Sequence, residues 1–382
     1  MNRSLLFALS GVHGLVHGTM NIFPVVLEPV RQQFAWTVSE IAWIGTIGYI
    51  LFGMMALPAG WIADRVKQNR LLMIMLIGMT ASLGSLSFWT TGTGFAISWS
   101  FVGFFAGFYH PLGLSSVVTA GKGETGRAMG WHGLGGNFGF AIMPLVAGVI
   151  ASTWNWPVAF LFAGGLSLFC CLFFLGPAEE TFSVNVGEQK SINWSTYLVL
   201  MLLLYGGVGF IYRGMITFVP NSFYERWSME LGLGLVGGLT TLVYLVGGLG
   251  QLGGGWLEEN FGSMRTLLGL ILGYTCLTIG LLFTTGIGFL IVLMSWAVLF
   301  FAGQPILNTI ISRAGDANVH GRLYGLAFAM NLGLGASGAG ITGQAIEWGG
   351  LNGGYLVVLG AMLFLLIILG LLMRESFSAQ RM

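Results

Sequence analysis

Histidines and amides recur at helical spacing inside segments that are otherwise apolar. His13, His17 and Asn21 follow one another at intervals of four residues, and Gln304 and Asn308 repeat that interval near the end of the chain. Side chains four residues apart lie on one face of a helix. Polar groups are costly in lipid unless they face protein or water, so these stripes indicate a polar path between helices.

Further histidines stand beside helix-bending or small residues. Tyr109 and His110 precede Pro111, which bends a helix because it has no backbone N–H. Imidazole titrates near pH 6.5, so we predict that His17 and His110 are the proton-coupling candidates of this chain. His132, in a glycine-rich stretch, is predicted to pack or to form a hydrogen bond between helices.

Arg213 is a cation within an apolar segment. One interpretation makes it the counter-charge of an anionic substrate; the other lets it reach the membrane surface and pair with Glu28 or Glu225. The predicted substrate-binding residues are therefore His17, Asn21, Tyr109, His110, Arg213, Gln304 and Asn308.

The composition excludes a soluble protein. Of 382 residues, 55% are hydrophobic and only 8% are charged, whereas soluble domains carry about 25% charged residues. Stretches 71–121, 128–178 and 266–312 contain no charge. Each is far longer than the roughly 20 residues of one spanning helix, so each crosses the bilayer more than once. The sequence predicts an all-α membrane protein.

Charges, prolines and polar clusters divide the chain into twelve predicted spans. They lie at 4–30, 39–63, 70–90, 94–120, 127–151, 156–176, 196–220, 231–257, 265–285, 287–312, 322–347 and 353–373. The one long polar linker, 177–195, separates spans six and seven. We predict an N-terminal unit at 1–176 and a C-terminal unit at 196–382.

The two halves are related by a fixed offset of 195 residues. Gly60-Trp61 returns as Gly255-Trp256, and further identities keep the same register, at Tyr49 and Tyr244, Gly53 and Gly248, Arg70 and Arg265, and Arg127 and Arg322. Tryptophan and arginine pairs at one offset indicate duplication. Two parallel apolar repeats are a known plan of membrane transporters.

The basic residues predict the orientation in the membrane. With a cytoplasmic N-terminus, every Lys and Arg falls on the cytoplasmic side except Arg31, Arg213 and Arg226. The positive-inside rule then places both termini in the cytoplasm of a multi-pass protein in the cell inner membrane. We expect a monomer whose partners are the lipid bilayer, a small-molecule substrate and protons.

Other classes of function find no support in the sequence. The net charge of +1 argues against a nucleic-acid partner. The three cysteines lie in apolar segments without metal-ligand spacing, so we predict no metal site and no cofactor. No nucleotide-binding loop and no nucleophile–base pattern is present, which argues against an enzyme.

A loop motif carries a resemblance to a known family. After the second span the chain reads Gly60-Trp61-Ile62-Ala63-Asp64-Arg65-Val66-Lys67-Gln68-Asn69-Arg70. This resembles the Gly-x-x-x-Asp-Arg signature of the major facilitator superfamily, which the chain resembles over essentially its whole length. The resemblance implies two pseudo-symmetric six-helix bundles that rock about a central site lined by helices 1, 4, 7 and 10. It also implies a conformational latch at Gly60, Asp64, Arg65 and Arg70.

A narrower resemblance points to the fosmidomycin-resistance-like efflux branch. It is carried by the stretches 17–21, 107–113, 126–130 and 135–141 and by Pro144. Those relatives tend to have an aspartate near Asn21, a glutamate at the position of Leu112 and a glycine at that of Met143. The carboxylates that usually carry protons are therefore missing, which leaves proton coupling open.

The leading prediction is a secondary transporter that exports a small organic molecule by alternating access, in the manner of an antiporter. One alternative is an uptake symporter or facilitator for an organic anion or metabolite. Another is a membrane receptor that transports nothing.

The latch prediction is tested by Asp64→Asn in a susceptible bacterium challenged with antibiotics, phosphonates included. We expect the wild type to confer resistance to at least one compound and Asp64→Asn to lose it at equal membrane expression. His17→Ala serves as the cavity variant. Sensitisation by the wild type would indicate uptake and contradict export.

Overall fold

A computed structural model describes residues 1–63, 66–121, 123–175, 194–312 and 320–379. Within these ranges the chain is helical and contains no strand. Asp64 and Arg65 of the predicted latch, and nearly all of the predicted linker, lie outside the described residues.

Eight α-helices make up the first half of the chain. They are α1 (Arg3–Gln33), α2 (Val38–Met54), α3 (Ala56–Ala63), α4 (Gln68–Leu86), α5 (Gly92–Gly107), α6 (Tyr109–Gly121), α7 (Thr125–Thr153) and α8 (Trp156–Cys171), which a 3-10 turn extends over Leu172–Phe174. Two predicted spans are each split into two helices, at Met55 and at Phe108. Both breaks follow from prolines three residues later, Pro58 and Pro111, whose missing N–H would have bonded the carbonyl four residues back.

Six further α-helices make up the described second half. They are α9 (Thr196–Arg226), α10 (Leu233–Phe261), α11 (Ser263–Leu281), α12 (Gly286–Ser312), α13 (His320–Phe328) and α14 (Ser337–Ala379), with a π-helical turn at Ala329–Gly333 and a 3-10 turn at Leu334–Ala336 between the last two. Pro305 lies inside a continuous α12, so the second half lacks the break that Pro111 causes in the first.

Eleven described segments are long and apolar enough to cross a membrane, and the last contains a turn. That segment runs from Arg322 to Glu375 over 54 residues, too long for one crossing of a core about 30 Å thick. Helical geometry fails at Gly349 and at Gly350, whose φ of 63° favours glycine. Beyond the turn, Gly353 lies against the Ala345 backbone, so the chain doubles back.

The duplication is visible in the way tyrosines join neighbouring helices. The Tyr49 hydroxyl of α2 donates to the Met20 carbonyl of α1 at 3.3 Å. The Tyr244 hydroxyl of α10 donates to the Ile216 carbonyl of α9, also at 3.3 Å. Since the two tyrosines are 195 residues apart, equivalent side chains make equivalent contacts in both halves.

The two halves meet through glycine-rich surfaces. Helix α7 packs on α10, and α2 packs on α14 and on the π-helical turn. A Cβ at Gly53 would collide with the Leu332 and Gly333 backbone, and one at Gly237 with the Pro144 carbonyl. Small residues at these points let the backbones approach closely, as the glycine content of these spans predicts.

This interface is closed by hydrogen bonds at one end. The Val38 amide donates to the Glu347 carboxylate at 2.8 Å, and the Ser39 hydroxyl donates to Gln344 at 2.6 Å. At the opposite end, glycines near the start of α7 and the end of α10 face open space. A Cβ added at any of these glycines would meet no atom within 4 Å: Gly130, Gly133, Gly253 and Gly255. Under the predicted orientation the closed end faces outward.

The close contact at Gly53 has a matched control in its repeat partner. Gly53→Ala forces a methyl group against the Gly333 backbone, whereas a Cβ at Gly248 meets nothing within 4 Å. We expect Gly53→Ala to cost about 1–3 kcal/mol and lower the apparent melting temperature in detergent. Gly248→Ala should leave that temperature unchanged or slightly raised. Equal melting of both variants would contradict the contact.

Candidate functional site

Four histidines converge in the first half of the molecule. We call His13, His17, His110 and His132 the histidine cluster. The His13 ring lies 4.8 Å from that of His17, 5.6 Å from that of His110 and 4.1 Å from that of His132, measured between centroids. His17 and His110 are 5.1 Å apart. The two predicted proton carriers are thus neighbours.

Helix packing brings these rings together. The four-residue spacing puts His13 and His17 on the face of α1 that meets α6 and α7. A Cβ at Gly136 would collide with the His13 imidazole, so glycine is needed for α7 to pass this close. The break at Phe108 starts α6 just before His110.

Hydrogen bonds define the tautomers of two rings. His13 Nδ1 lies 2.9 Å from the His132 carbonyl oxygen, which can only accept, so Nδ1 carries the proton. The Tyr109 hydroxyl donates to the Leu9 carbonyl. His132 Nε2 lies 3.0 Å from that hydroxyl and therefore donates to it. As the sequence predicts, His132 bonds between helices.

His110 differs from its neighbours in having an unsatisfied nitrogen. The residue is 6% exposed, and its Nε2 has no hydrogen-bond partner among the described residues. Buried polar atoms are nearly always paired, so a lone one needs an explanation. The ring stacks on Phe328 of α13 at 5.3 Å, which brings the second half of the chain against the cluster.

Arg213 forms a second site where the halves meet. It is 2% exposed, and its guanidinium carbon lies 3.9 Å from the Tyr49 ring centroid and 5.0 Å from that of Tyr212. Its Nε and Nη1 have no hydrogen-bond partner among the described residues. Two aromatic faces stabilise the cation without neutralising it.

The alternative interpretation of Arg213, a salt bridge near the membrane surface, is wrong. Glu28 pairs instead with Arg31 at 2.8 Å, and Glu225 is exposed. Arg213 makes no ion pair with any residue that the structure describes. Its side chain points into the protein, where it lies over the Tyr49 ring of α2.

Other polar atoms near the junction of the halves also lack partners. Asn21 donates from Nδ2 to the Phe140 carbonyl at 3.0 Å, but its Oδ1 is unpaired within the described part of the chain. The Thr217 hydroxyl, one helical turn from Arg213, is likewise unpaired there. The Phe140 ring lies 4.7 Å from Tyr244 and 6.3 Å from Tyr212. A polar patch is thus enclosed by aromatic rings.

The remaining predicted substrate-binding residues lie elsewhere. Gln304 accepts from Gln251 at 3.3 Å, and Gln251 accepts in turn from Asn137 of α7 at 3.1 Å. The Asn308 side chain is exposed, and its carbonyl accepts from Tyr324. The predicted set is therefore divided between the histidine cluster, the Arg213 site and this amide chain. Sequence reasoning missed Tyr49 and Gln251, although the repeat marks Tyr49.

No Asp or Glu among the described residues is buried. The charge of the buried described region is therefore positive, contributed by Arg213. Two members of the predicted latch are described. A Cβ added at Gly60 would lie 3.9 Å from the Pro111 Cβ, and Arg70 is exposed. The latch itself stays a prediction because its other two members are not described.

Comparison with known proteins identifies related chains. A sequence profile of the Major Facilitator Superfamily matches residues 9–340. The chain is 22% identical to the uncharacterized MFS-type transporter YfnC of Bacillus subtilis, over 95% of this chain and 92% of YfnC. It is 28% identical to the membrane sensor protein UhpC of Salmonella typhimurium, over 44% of this chain and 38% of UhpC. The match thus spans about two fifths of the sensor's length.

Solved structures share the fold. A bacterial homologue of the human lysosomal transporter Spinster, inward-facing and occupied, superposes with a TM-score of 0.78 at 15% identity, over 98% of this chain and 97% of the homologue. The nucleoside transporter NupG superposes with a TM-score of 0.79 at 13% identity, over 96% and 99% of the two chains. At these identities the likeness concerns the fold alone.

An uncompensated buried charge predicts a trade-off between stability and function. Replacing a buried ion pair by apolar side chains of similar volume is often neutral or stabilising by about 1–4 kcal/mol, and a buried charge without an ionic partner has no ion-pair attraction to lose. We therefore expect Arg213→Met to raise the apparent melting temperature of the ligand-free protein. Arg31→Met, which removes contacts to Glu28 and the Trp36 carbonyl, should not. A marked fall for Arg213→Met would contradict an unpaired cation.

Proposed function

The chain belongs to the Major Facilitator Superfamily, and on that premise we propose that it is a secondary transporter that moves a small organic anion across the membrane by alternating access. The observation that carries the proposal is the buried guanidinium of Arg213, which has no carboxylate beside it among the described residues. A buried charge is strongly unfavourable until an opposite charge reaches it.

The proposed architecture has twelve spans in two six-helix bundles. The turn at Gly350 divides the last segment into two membrane crossings, which raises eleven segments to twelve spans. The equivalent contacts of Tyr49 and Tyr244 support a repeated unit. We propose bundles at 1–176 and 196–382, a cytoplasmic linker at 177–195 and cytoplasmic termini in the cell inner membrane.

Arg213 couples an anion to the closing of the bundles. It belongs to α9, whereas the ring beneath it, Tyr49, belongs to α2 of the other bundle. When the bundles close, the cation leaves water, and an anion at its free Nε and Nη1 offsets the loss of hydration. An empty carrier closes less readily than a loaded one, which favours movement of substrate over idle cycling.

The interface has the features that rocking requires. Backbones come close together at glycines such as Gly53 and Gly237. The closed end is joined by an exposed hydrogen bond from the Val38 amide to Glu347 and a part-buried one from the Ser39 hydroxyl to Gln344. Each such hydrogen bond is replaced by bonds to water on opening, so its loss costs little net free energy.

For coupling, we propose His17 and His110 as the proton carriers. They are in contact in the cluster, and no described carboxylate is buried to take that role. Export is the proposed direction because the motifs at 17–21 and 107–113 resemble those of the fosmidomycin-resistance-like branch.

A second candidate function is a sensor that binds an anion without moving it. The observation in its favour is the 28% identity to UhpC, whose name describes a membrane sensor protein. The same Arg213 site serves both functions. A sensor would bind the anion at Arg213 but would give no net flux of it across the membrane, and this property distinguishes it from a transporter.

Flux in proteoliposomes tests the proposal. Vesicles with purified protein are loaded with a phosphonate antibiotic, succinate or, as the neutral control, glucose, and a proton gradient is imposed in either direction. We expect transport of an anion and none of glucose. Arg213→Gln should weaken the apparent affinity at least about thirtyfold, as removal of one member of a buried charge pair does.

Arg213→Lys is the matched variant, since it keeps the charge and loses the planar geometry; we expect it to retain part of the transport. Transport of glucose alone would overturn the anionic substrate. Binding of an anion that depends on Arg213, with no flux of any probe, would instead establish the sensor.

A further inference from the structure

Three members of the histidine cluster meet the requirements of a metal site. The ligand atoms of His13, His17 and His110 all lie within 4.8 Å of one another. We propose that these three imidazoles bind one divalent transition-metal cation of the Zn²⁺ type. The site goes beyond the proposed anion transport, which rests on Arg213. Zinc and protons compete for the same nitrogens of His17 and His110, so these two residues carry protons, as proposed above, only in the metal-free protein.

The donor set selects the class of metal. Neutral imidazole nitrogens suit zinc, nickel, copper and iron, whereas magnesium and calcium require carboxylate, carbonyl or water oxygens. No buried carboxylate is present among the described residues. Three histidines with a fourth position left for another ligand is a well-known arrangement for zinc.

The separations are compatible with zinc after small movements. With Zn–N bonds of about 2.0–2.1 Å, two nitrogens of a tetrahedral site are roughly 3.3 Å apart. The widest separation here is 4.8 Å. Rotation about the side-chain bonds of His17 and His110 shortens it, because neither ring is held by a hydrogen bond that a described residue is shown to make.

His13 is already oriented as a metal ligand. Its Nδ1–H donates to the His132 carbonyl at 2.9 Å, which leaves the Nε2 lone pair of the neutral ring available. Histidines that bind metals almost always donate their second N–H to a carbonyl or carboxylate in this way. His132 lies outside the group of three whose ligand atoms converge, and its Nε2–H donates to Tyr109.

His110 supplies an independent observation. Its buried Nε2 has no partner in the described part of the chain and lies among the other two rings. Ordinary packing accounts for the stacked pair of His13 and His132 but not for a buried nitrogen left unbonded. A metal cation would accept the lone pair of this nitrogen, or would bind the ring through its other nitrogen and hold it in place.

The exposure of the three rings differs: His13 and His17 are partly buried, whereas His110 is buried. Three protein ligands leave one position of a tetrahedral zinc for water or an anionic oxygen. A dication held by three neutral ligands keeps its charge, so an anionic oxygen is the favoured fourth ligand.

The test uses the purified full-length protein, stripped with a chelator, loaded with Zn²⁺ and passed through gel filtration before metal analysis. We expect about one Zn²⁺ per chain, not displaced by excess Mg²⁺. His17→Asn and His110→Asn should each lower the affinity at least about tenfold. His320→Asn changes the fifth histidine of the sequence and should retain the metal. Loaded with Co²⁺, the wild type should show the visible absorption of a tetrahedral site.

Metal-free melting temperatures show whether each variant folds, and His13→Asn replaces any that does not. Arg213→Gln should keep its zinc, which separates failure of this site from failure of the anion proposal. Zinc retained equally by the wild type and by all three cluster variants would overturn the assignment. So would the absence of retained Zn²⁺ in the folded wild type.

Discussion

A guanidinium buried between two apolar halves is the constraint on which the rest of the structure depends. Arg213 has lost its water and faces the rings of Tyr49 and Tyr212 instead of a carboxylate. Taking such a charge out of water carries a desolvation penalty that an opposite charge or hydrogen bonds must offset. Helix α9 packs against α14 and α1, which places Arg213 away from solvent, and the proposed anion would supply the missing opposite charge. In the proposed function, the charge that is unfavourable in the empty protein selects an anion.

Close backbone contact supplies the second constraint. In lipid the helices gain little from hiding apolar surface, so association depends on packing and on hydrogen bonds. Glycines at Gly53, Gly139 and Gly237 allow that packing. Hydrogen bonds join the halves at Glu347 and Gln344 and also between α7 and α10, where Asn137 donates to Gln251. Backbone contacts at glycine and side-chain hydrogen bonds therefore both hold the halves together.

The two halves contribute different chemistry despite their common origin. The first supplies a group of imidazoles with a satisfied ring, His132, and an unsatisfied one, His110. The second supplies the cation and, at the position related to His110, the amide Gln304, which bonds Gln251. The first half thus carries the imidazole nitrogens of the histidine cluster, and the second half carries the positive charge of Arg213.

The sequence by itself determined the helical membrane class, the repeat and the residue types of the site. These conclusions rest on the length of the charge-free stretches, on the constant offset between the halves and on the four-residue spacing of polar side chains. All three can be read from the sequence without knowing which residues are in contact. The resemblance to the family also placed His17 and His110 on two helices that line one cavity. Only the tertiary structure decided that His13 and His132 join them, that Arg213 turns inward onto Tyr49, and that Gln304 belongs to a separate amide chain. The position of the rings depends on how closely α7 approaches α1, a distance set by contacts such as that of Gly139 with Gly14, 125 residues apart in the chain. The position of Arg213 depends on how the two halves pack, which brings Tyr49 of α2 beneath a side chain of α9. Spacing along a chain predicts which face of a helix a side chain occupies, but packing energy decides what that face meets.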